Sequence, residues 1–348
     1  MCRKSTLFFK YMVPRKKGII IRLCFITLTL SSVICGWWLS DATSMALLPP
    51  YPSLHLDHFR LNRSLKRYLD NIELLIEPST PPCKNVPLVV IVTSSPTRFE
   101  HRDAIRRTWA KYFPTYFIMG LNGPDIEDML VENYVEAKKY SDIIIYKFQD
   151  HYQNLTLKTG LMIQWCLNRC SPGMLFKTDD DVLVNPWIFK KVLEENADKD
   201  LVGYRKLNSY LHRDEYNKWY LPRWLLREDF IPEYLSGTGY IINGKHLENI
   251  LTIAYEVPMI NLEDVYFTYL VSKLKLNLTL THDHRLSPYK PWMFLDCLYW
   301  GLGSIHSLTS NEMINKWVKI ENIGNTYDNN YSVCDYFINN FWSEWFLY

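Results

Sequence analysis

Short apolar runs alternate with amphipathic stretches from residue 88 to about residue 195. Leu88 to Thr93 is apolar and β-branched and reads as a buried strand. A helix follows from about Arg102 to Trp109, then a strand from Tyr116 to Met119. Ile126 to Lys139 has helical spacing with acids early and lysines late, as the helix dipole favours. Asp142 to Tyr146 reads as a strand, Leu155 to Leu167 as a helix, and Met174 to Lys177 as a strand leading to a helix opened by Pro186. The alternation predicts an α/β fold with a central, mostly parallel sheet covered on both faces. Such sheets bind ligands beyond the carboxyl ends of their strands.

The N-terminal part breaks this rhythm. Gly18 to Leu39 is mostly apolar and long enough to cross a bilayer as a helix, with Arg22 near its basic end and Trp37 and Trp38 at the other. Arg3, Lys4, Lys10, Arg15, Lys16 and Lys17 precede it with no acid between them. The pattern predicts a cytosolic tail over 1–17, a signal-anchor helix over 18–39, and the bulk of the chain across a single membrane span. A cleaved signal peptide is the rival reading; the length of both segments and the lack of a clean small-x-small site disfavour it. Proline-rich residues 40–87 read as a stem with a short helix inside 61–76, and residues 88–348 as one large domain.

Beyond the apolar run stand the sequons at Asn62, Asn154, Asn277 and Asn330, candidates for N-glycosylation. Cys83, Cys166, Cys170, Cys297 and Cys334 lie there too and suit one or two disulfides; a zinc site lacks a second Cys/His pair at finger spacing. Basic and acidic residues nearly balance, for a net charge of +2, and no basic stripe is interleaved with aromatics. Nothing here points to nucleic acid.

The chemistry concentrates at Asp179, Asp180 and Asp181, directly after the strand ending at Lys177-Thr178. Adjacent acids repel, so the cluster is costly unless a cation or hydrogen-bond donors neutralise it. Hard divalent ions such as Mn²⁺ favour oxygen ligands and bring diphosphates with them. A solvated turn or helix cap is the plain alternative.

Five segments occur in order: RDAIRRTW from Arg102, DHYQNLTLKT from Asp150, FKTDDDVLVNP from Phe176, PEYLSGTGY from Pro232 and EDVY from Glu263. Together they resemble the β-1,3-galactosyltransferase family, glycosyltransferase family 31, over most of Val86 to Trp317. The resemblance implies a GT-A fold, a UDP-sugar donor, Mn²⁺, inversion at the anomeric carbon and a Golgi membrane enzyme acting on a glycan acceptor. It makes Asp181 the direct metal ligand and His306 the second, with Asp179 and Asp180 facing the nucleotide. It makes Asp264 the general base, with Glu263 as acceptor binder or as support for its neighbour. Without the motif, capping is the better explanation of Asp264.

Arg102 and Arg106 share a helix face and, with Lys158, are candidates for the nucleotide; exposed helix arginines are commonly just solvated. Gly237 and Gly239 suit close backbone approach to a sugar, and Trp219 suits stacking on one, with a turn and a core tryptophan as the plain readings. Leu235 and Leu270 stand where the family carries cysteines, and Phe267-Thr268 where small residues are usual. N-acetylglucosaminyl or N-acetylgalactosaminyl transfer keeps the same mechanism; a non-catalytic lectin or chaperone of the same fold is the reading from another class.

Overall fold

A computed structural model describes residues 27–32, 35, 56–79, 83, 86–121, 126–291 and 296–326. The chain divides into two units, Met1–Pro52 with Glu215–Lys218 and Ser53–Asp214 with Trp219–Tyr348. In the first, residues 27–32 are helical and exposed. The predicted anchor over 18–39 otherwise lies outside the described residues, as do the stem residues up to 55 and Asn330. Among the described residues no helix is long and apolar enough to cross a membrane.

The second unit carries a mixed sheet of β1 (Leu74–Ile76), β2 (Leu88–Thr93), β3 (Thr115–Gly120), β4 (Ile143–Tyr146), β5 (Met174–Asp179), β7 (Leu201–Tyr210), β8 (Phe230–Asn243) and β9 (Leu280–His282), in the order β1-β4-β3-β2-β5-β8-β7-β9. Strands β4, β3, β2 and β5 run parallel, and β1 and β8 join them antiparallel. Around them lie helices α1 (Phe99–Arg107), α2 (Ile126–Tyr140), α3 (Leu155–Arg169), α4 (Pro186–Glu195), α5 (Leu247–Ala254) and α6 (Ser310–Thr326), with a π-helix at Val265–Lys275. Every residue of β2 is buried; Val89 and Ile91 feed one apolar cluster with Leu161, Trp165 and Tyr266, while Val90 and Val92 feed another with Ile105, Phe117 and Phe189. An unbroken apolar run is what a strand covered on both sides requires.

Two irregularities position the site. A second small sheet joins β6 (Leu183–Val184), β10 (Leu286–Ser287) and β11 (Ser304–Ile305), pairing Leu183 with Ile305. Its ladder runs on through the Leu308 N–H to the Asp181 carbonyl at 3.1 Å, so the chain around His306 is laid beside Asp181. In the large sheet, Gly203 of β7 faces Tyr240 while Arg205 faces Leu235. Ser236 to Gly239 are thereby bulged out of that ladder against Tyr204 alone, a device that re-aims a strand beside a site.

The predicted boundary at 87 is corrected. Leu56, Phe59, Leu65, Leu69 and Cys83 are buried in the main core, β1 pairs with β4, and Cys83 is disulfide-bonded to Cys170. The folded unit thus takes in residues that the proline-rich composition assigned to a stem. Deleting residues up to 85 removes the buried side chains of Leu56, Phe59, Leu65 and Leu69, worth roughly 5–10 kcal/mol together, along with Cys83. It also opens a disulfide spanning 87 residues, worth up to ~4 kcal/mol. A fragment starting at Ser53 is expected to unfold cooperatively on heating, and one starting at Val86 to show no such transition.

Candidate active site

Strand β5 ends on the acids, and its neighbours decide where each points. Asp179 pairs with Thr93 in the ladder, and its Oδ1 accepts from the Thr93 hydroxyl and the Lys177 ammonium, both at 2.7 Å. Asp180 turns the other way: the Ser94 hydroxyl donates to it at 2.8 Å and the Arg98 guanidinium at 2.7 Å. Asp181 meets His306, whose Nε2 is 3.4 Å from Asp181 Oδ1. The side chains of Asp179 and Asp181 keep 30% and 29% of their surface exposed, enough to receive a ligand.

Asp179, Asp181 and His306 each offer an atom within 4.8 Å of the others. His306 Nδ1 is 3.2 Å from the Pro288 carbonyl and 2.8 Å from the Ser307 hydroxyl. A proton on Nδ1 donated to the carbonyl leaves the Nε2 lone pair facing Asp181, the tautomer a metal ligand needs. Ser307 adopts a left-handed φ of 66°, a conformation that non-glycine residues carry mostly where surrounding structure imposes it. Two carboxylates and an imidazole suit Mn²⁺ or a similar divalent ion. Burial, reinforced by Asp179 and Asp180 and opposed by His306, raises the Asp181 pKa, as expected for crowded acids with no cation between them.

The second half of the site forms around the bulge. Gly237 donates its N–H to Asp264 Oδ2 at 3.1 Å and accepts from the Lys177 ammonium at its carbonyl. A Cβ at Gly237 would stand 3.3 Å from Asp264 Oδ2, tighter than an unmoved neighbour tolerates. Asp264 also accepts from the Val265 N–H at 2.8 Å and so caps the π-helix, a form enriched at functional sites. Thr268 fixes this start against β8: its hydroxyl accepts from the Leu235 N–H at 3.0 Å and donates to the Asp264 carbonyl at 2.6 Å. The departure at Thr268 therefore has a structural use, and Leu235 is buried in the core.

Burial raises the Asp264 pKa, with the Val265 N–H, Lys177 and the Gly237 N–H opposing. Glu263 is buried, accepts from the Tyr240 hydroxyl and lies 3.6 Å from Lys177 Nζ. Burial pushes its pKa up to about 7 against the pull of Lys177. Its carboxyl is thus committed inward, which favours support of Asp264 over acceptor binding. Tyr152 feels the Asp264, Asp179 and Glu263 charges and takes a hydrogen bond from the Trp219 side chain, which is 50% exposed. Trp219 is therefore half exposed beside Tyr152, with its ring centroid 5.5 Å from that of His212, and presents aromatic surface of the kind that stacks on sugars.

Several sequence-based assignments change. Arg102 is buried and paired with Glu136 at 2.6 Å; Arg106 pairs with Glu136 and Asp142, each at 2.7 Å. The shared helix face is real, but its partners are acids of α2 and of the turn before β4. Lys158 is buried and donates to the Ser94 carbonyl at 2.7 Å and Asp150 at 2.6 Å. Arg102 and Lys158 thereby shape the Ser94–Pro96 loop that holds Asp180. Asp180 itself is tied to Arg98. Gly239 packs on the Phe176 ring, 3.1 Å from a Cβ built there, so its smallness serves the sheet. Asn154 is buried, with Nδ2 donating to the Gln149 carbonyl at 2.9 Å, so a glycan there does not fit the folded chain. Asn62 is half-buried, and Asn277 is exposed at a left-handed φ of 53°. Cys166 is free and buried.

Sequence reasoning missed Lys177, Arg98, Thr93 and Tyr240 as site residues. Lys177 carried a signal: a lysine inside a strand otherwise buried on both faces needs acids around it.

Comparison with known proteins adds the last observation. Residues 100–282 match the family model described as Galactosyltransferase. The chain is 30% identical over 252 residues to beta-1,3-galactosyltransferase 5 of Homo sapiens, covering 69% of this chain and 81% of that protein. It is 31% identical over 262 residues to beta-1,3-galactosyltransferase 1 of Mus musculus, covering 71% and 78%. The matched family segment contains the three aspartates, Gly237, Glu263 and Asp264, and leaves Thr93, Arg98 and His306 outside it.

Proposed function

Because this chain belongs to the galactosyltransferase family and is a galactosyltransferase-like enzyme, we propose that it moves galactose from UDP-galactose to the 3-hydroxyl of an acceptor glycan, with inversion and with a divalent cation. The observation that carries this reading is the connection of two stations through Lys177: the Asp179, Asp181 and His306 cluster, and Asp264 held by the bulged strand. Asp179, Asp181 and His306 would hold the cation, which when bound is a Lewis acid that offsets charge developing on the departing diphosphate.

The remaining work falls to the chain's own residues. Asp264 takes the proton from the acceptor hydroxyl at a carboxylate oxygen. Both of its oxygens already accept one backbone N–H, which fixes the carboxylate plane and leaves lone pairs for the incoming hydroxyl. A single displacement needs only one such base, in keeping with inversion. Arg98 keeps Asp180 out of the cation cluster, so the negative charge there is confined to two acids. Trp219 offers the acceptor an apolar face. On the sequence alone we also place the enzyme in the Golgi as a single-pass membrane protein anchored by residues 18–39, in a GT-A fold.

Incubation with UDP-galactose, UDP-N-acetylglucosamine and UDP-N-acetylgalactosamine, with and without Mn²⁺, tests the reading. Galactose transfer that requires Mn²⁺ is expected. Transfer of an N-acetylhexosamine in preference would move the assignment within the family, and no transfer from any donor would refute it.

A further inference from the structure

We propose that Lys177 is a positioning residue that couples the cation end of the site to the acceptor end. Its side chain is 1% exposed and follows the buried Leu175 and Phe176 in strand β5. The ammonium donates to Asp179 Oδ1 at 2.7 Å and to the Gly237 carbonyl, and lies 3.6 Å from Glu263 Oε2. The Gly237 N–H in turn donates to Asp264 Oδ2 at 3.1 Å. An ammonium has three N–H donors, and three acceptors surround this one. One belongs to the cation cluster, one to the peptide that orients the proposed base, and one to the acid preceding that base.

A buried ion pair kept only for folding needs one carboxylate. Here a single positive charge is divided between two carboxylates with different tasks, and its remaining bond reaches the backbone that aims Asp264. With a cation held at Asp179, the Lys177 ammonium would lose part of its share of that carboxylate. The ammonium then leans on Glu263 and the Gly237 carbonyl, so filling one station tightens the other, and by linkage the reverse holds.

The inference rests on the transferase reading for its rate measurements. Two further measurements, on protein without substrate, stand apart from that reading. Lys177→Met keeps the length and removes the charge; Lys177→Met with Glu263→Gln removes both buried charges. Charged and titratable groups facing Glu263 are Lys177, Asp264, Tyr240 and Asp179, and those acting on Asp264 include Lys177 and Lys206.

For Lys177→Met the expected results are Mn²⁺ affinity by calorimetry as tight as wild type or tighter, and kcat at saturating Mn²⁺ reduced about 30-fold or more. The acidic limb of the kcat/KM profile is expected to move up by about one pH unit, because Asp264 and Glu263 lose a neighbouring positive charge. In metal-free wild type, the folded Glu263 holds its proton up to about 7. Stability therefore falls as pH rises from the ordinary carboxylate range to that value, then levels. In Lys177→Met the fall continues to higher pH.

A variant with weakened Mn²⁺ binding and an unmoved pH limb would reduce Lys177 to a prop for Asp179 and overturn the proposal, as would wild-type kcat or an unchanged stability curve. If Lys177→Met does not fold, the double variant is compared with Glu263→Gln alone at equal Mn²⁺ saturation. Transfer at least tenfold slower in the double variant is expected, and equal transfer overturns the coupling. Wild-type protein that transfers no sugar would remove the transferase reading, while the calorimetric and stability measurements would still decide the role of Lys177.

Discussion

Asp181→Ala is expected to lower kcat/KM for galactose transfer by about 10³-fold or more, roughly 4 kcal/mol of transition-state stabilisation. The side chain meets His306 Nε2 at 3.4 Å and completes the cluster with Asp179. Removing it leaves one carboxylate and one imidazole, too few to keep a divalent ion against water. The loss should appear as absent Mn²⁺ binding, while the metal-free protein remains folded. The sign of the stability change separates this from a folding defect. Burial, with Asp179 and Asp180 adding to it, raises the folded pKa of Asp181 above its ordinary value. Ionising it near neutral pH therefore costs the metal-free fold free energy, and alanine removes that cost. The thermal midpoint without metal should stay level or rise. A variant that unfolds early, or one that transfers galactose normally with Mn²⁺, contradicts the assignment.

Asp264→Asn should reduce kcat by about 10²- to 10⁴-fold, the range general-base catalysis supplies, with binding of Mn²⁺ and UDP unchanged. Asparagine can still accept the Val265 N–H through its oxygen and so keeps the helix cap. Its amide nitrogen then opposes the Gly237 N–H, donor against donor, for a stability loss of about 1–2 kcal/mol. The pH profile provides a second readout. Because burial holds the Asp264 pKa above the ordinary carboxylate range, wild-type kcat/KM should fall as pH drops through that raised value. The residual activity of the variant should lack this limb. If Asp264 is only a cap, Asp264→Asn and Asp264→Ser will transfer at near wild-type rates, which the kinetic comparison would show at once.

The parts of the fold legible from sequence are those whose cause is local. Leu88–Thr93 and Ile143–Tyr146 are apolar runs between polar breakers, and both form buried strands. The Ile126 helix announces itself through early acids and late lysines and spans Ile126–Tyr140. The position of the aspartates past a buried strand likewise follows from order along the chain. What depends on distant partners was not legible. Strands β6 and β11 have two residues each, far below the length at which alternation is detectable, yet their pairing brings His306 to Asp181. The Arg102 and Arg106 spacing marks a helix face without revealing that Glu136 and Asp142 wait opposite it. Proline-rich composition hid the apolar spacing of Leu56, Phe59, Leu65 and Leu69, which dock the segment before β1 into the core. The bulge at Ser236–Gly239 leaves a four-residue small-polar signature in sequence, but its meaning, a peptide aimed at Asp264, exists only once β7 and β8 are in register.

Anomalous diffraction at the manganese edge, from crystals grown with Mn²⁺ and UDP, locates the cation. One strong peak is expected at coordination distance, about 2.0–2.3 Å, from Asp179, Asp181 and His306, with Asp180 still turned to Arg98. A peak elsewhere in the cleft, or UDP bound with no manganese near these side chains, would contradict it.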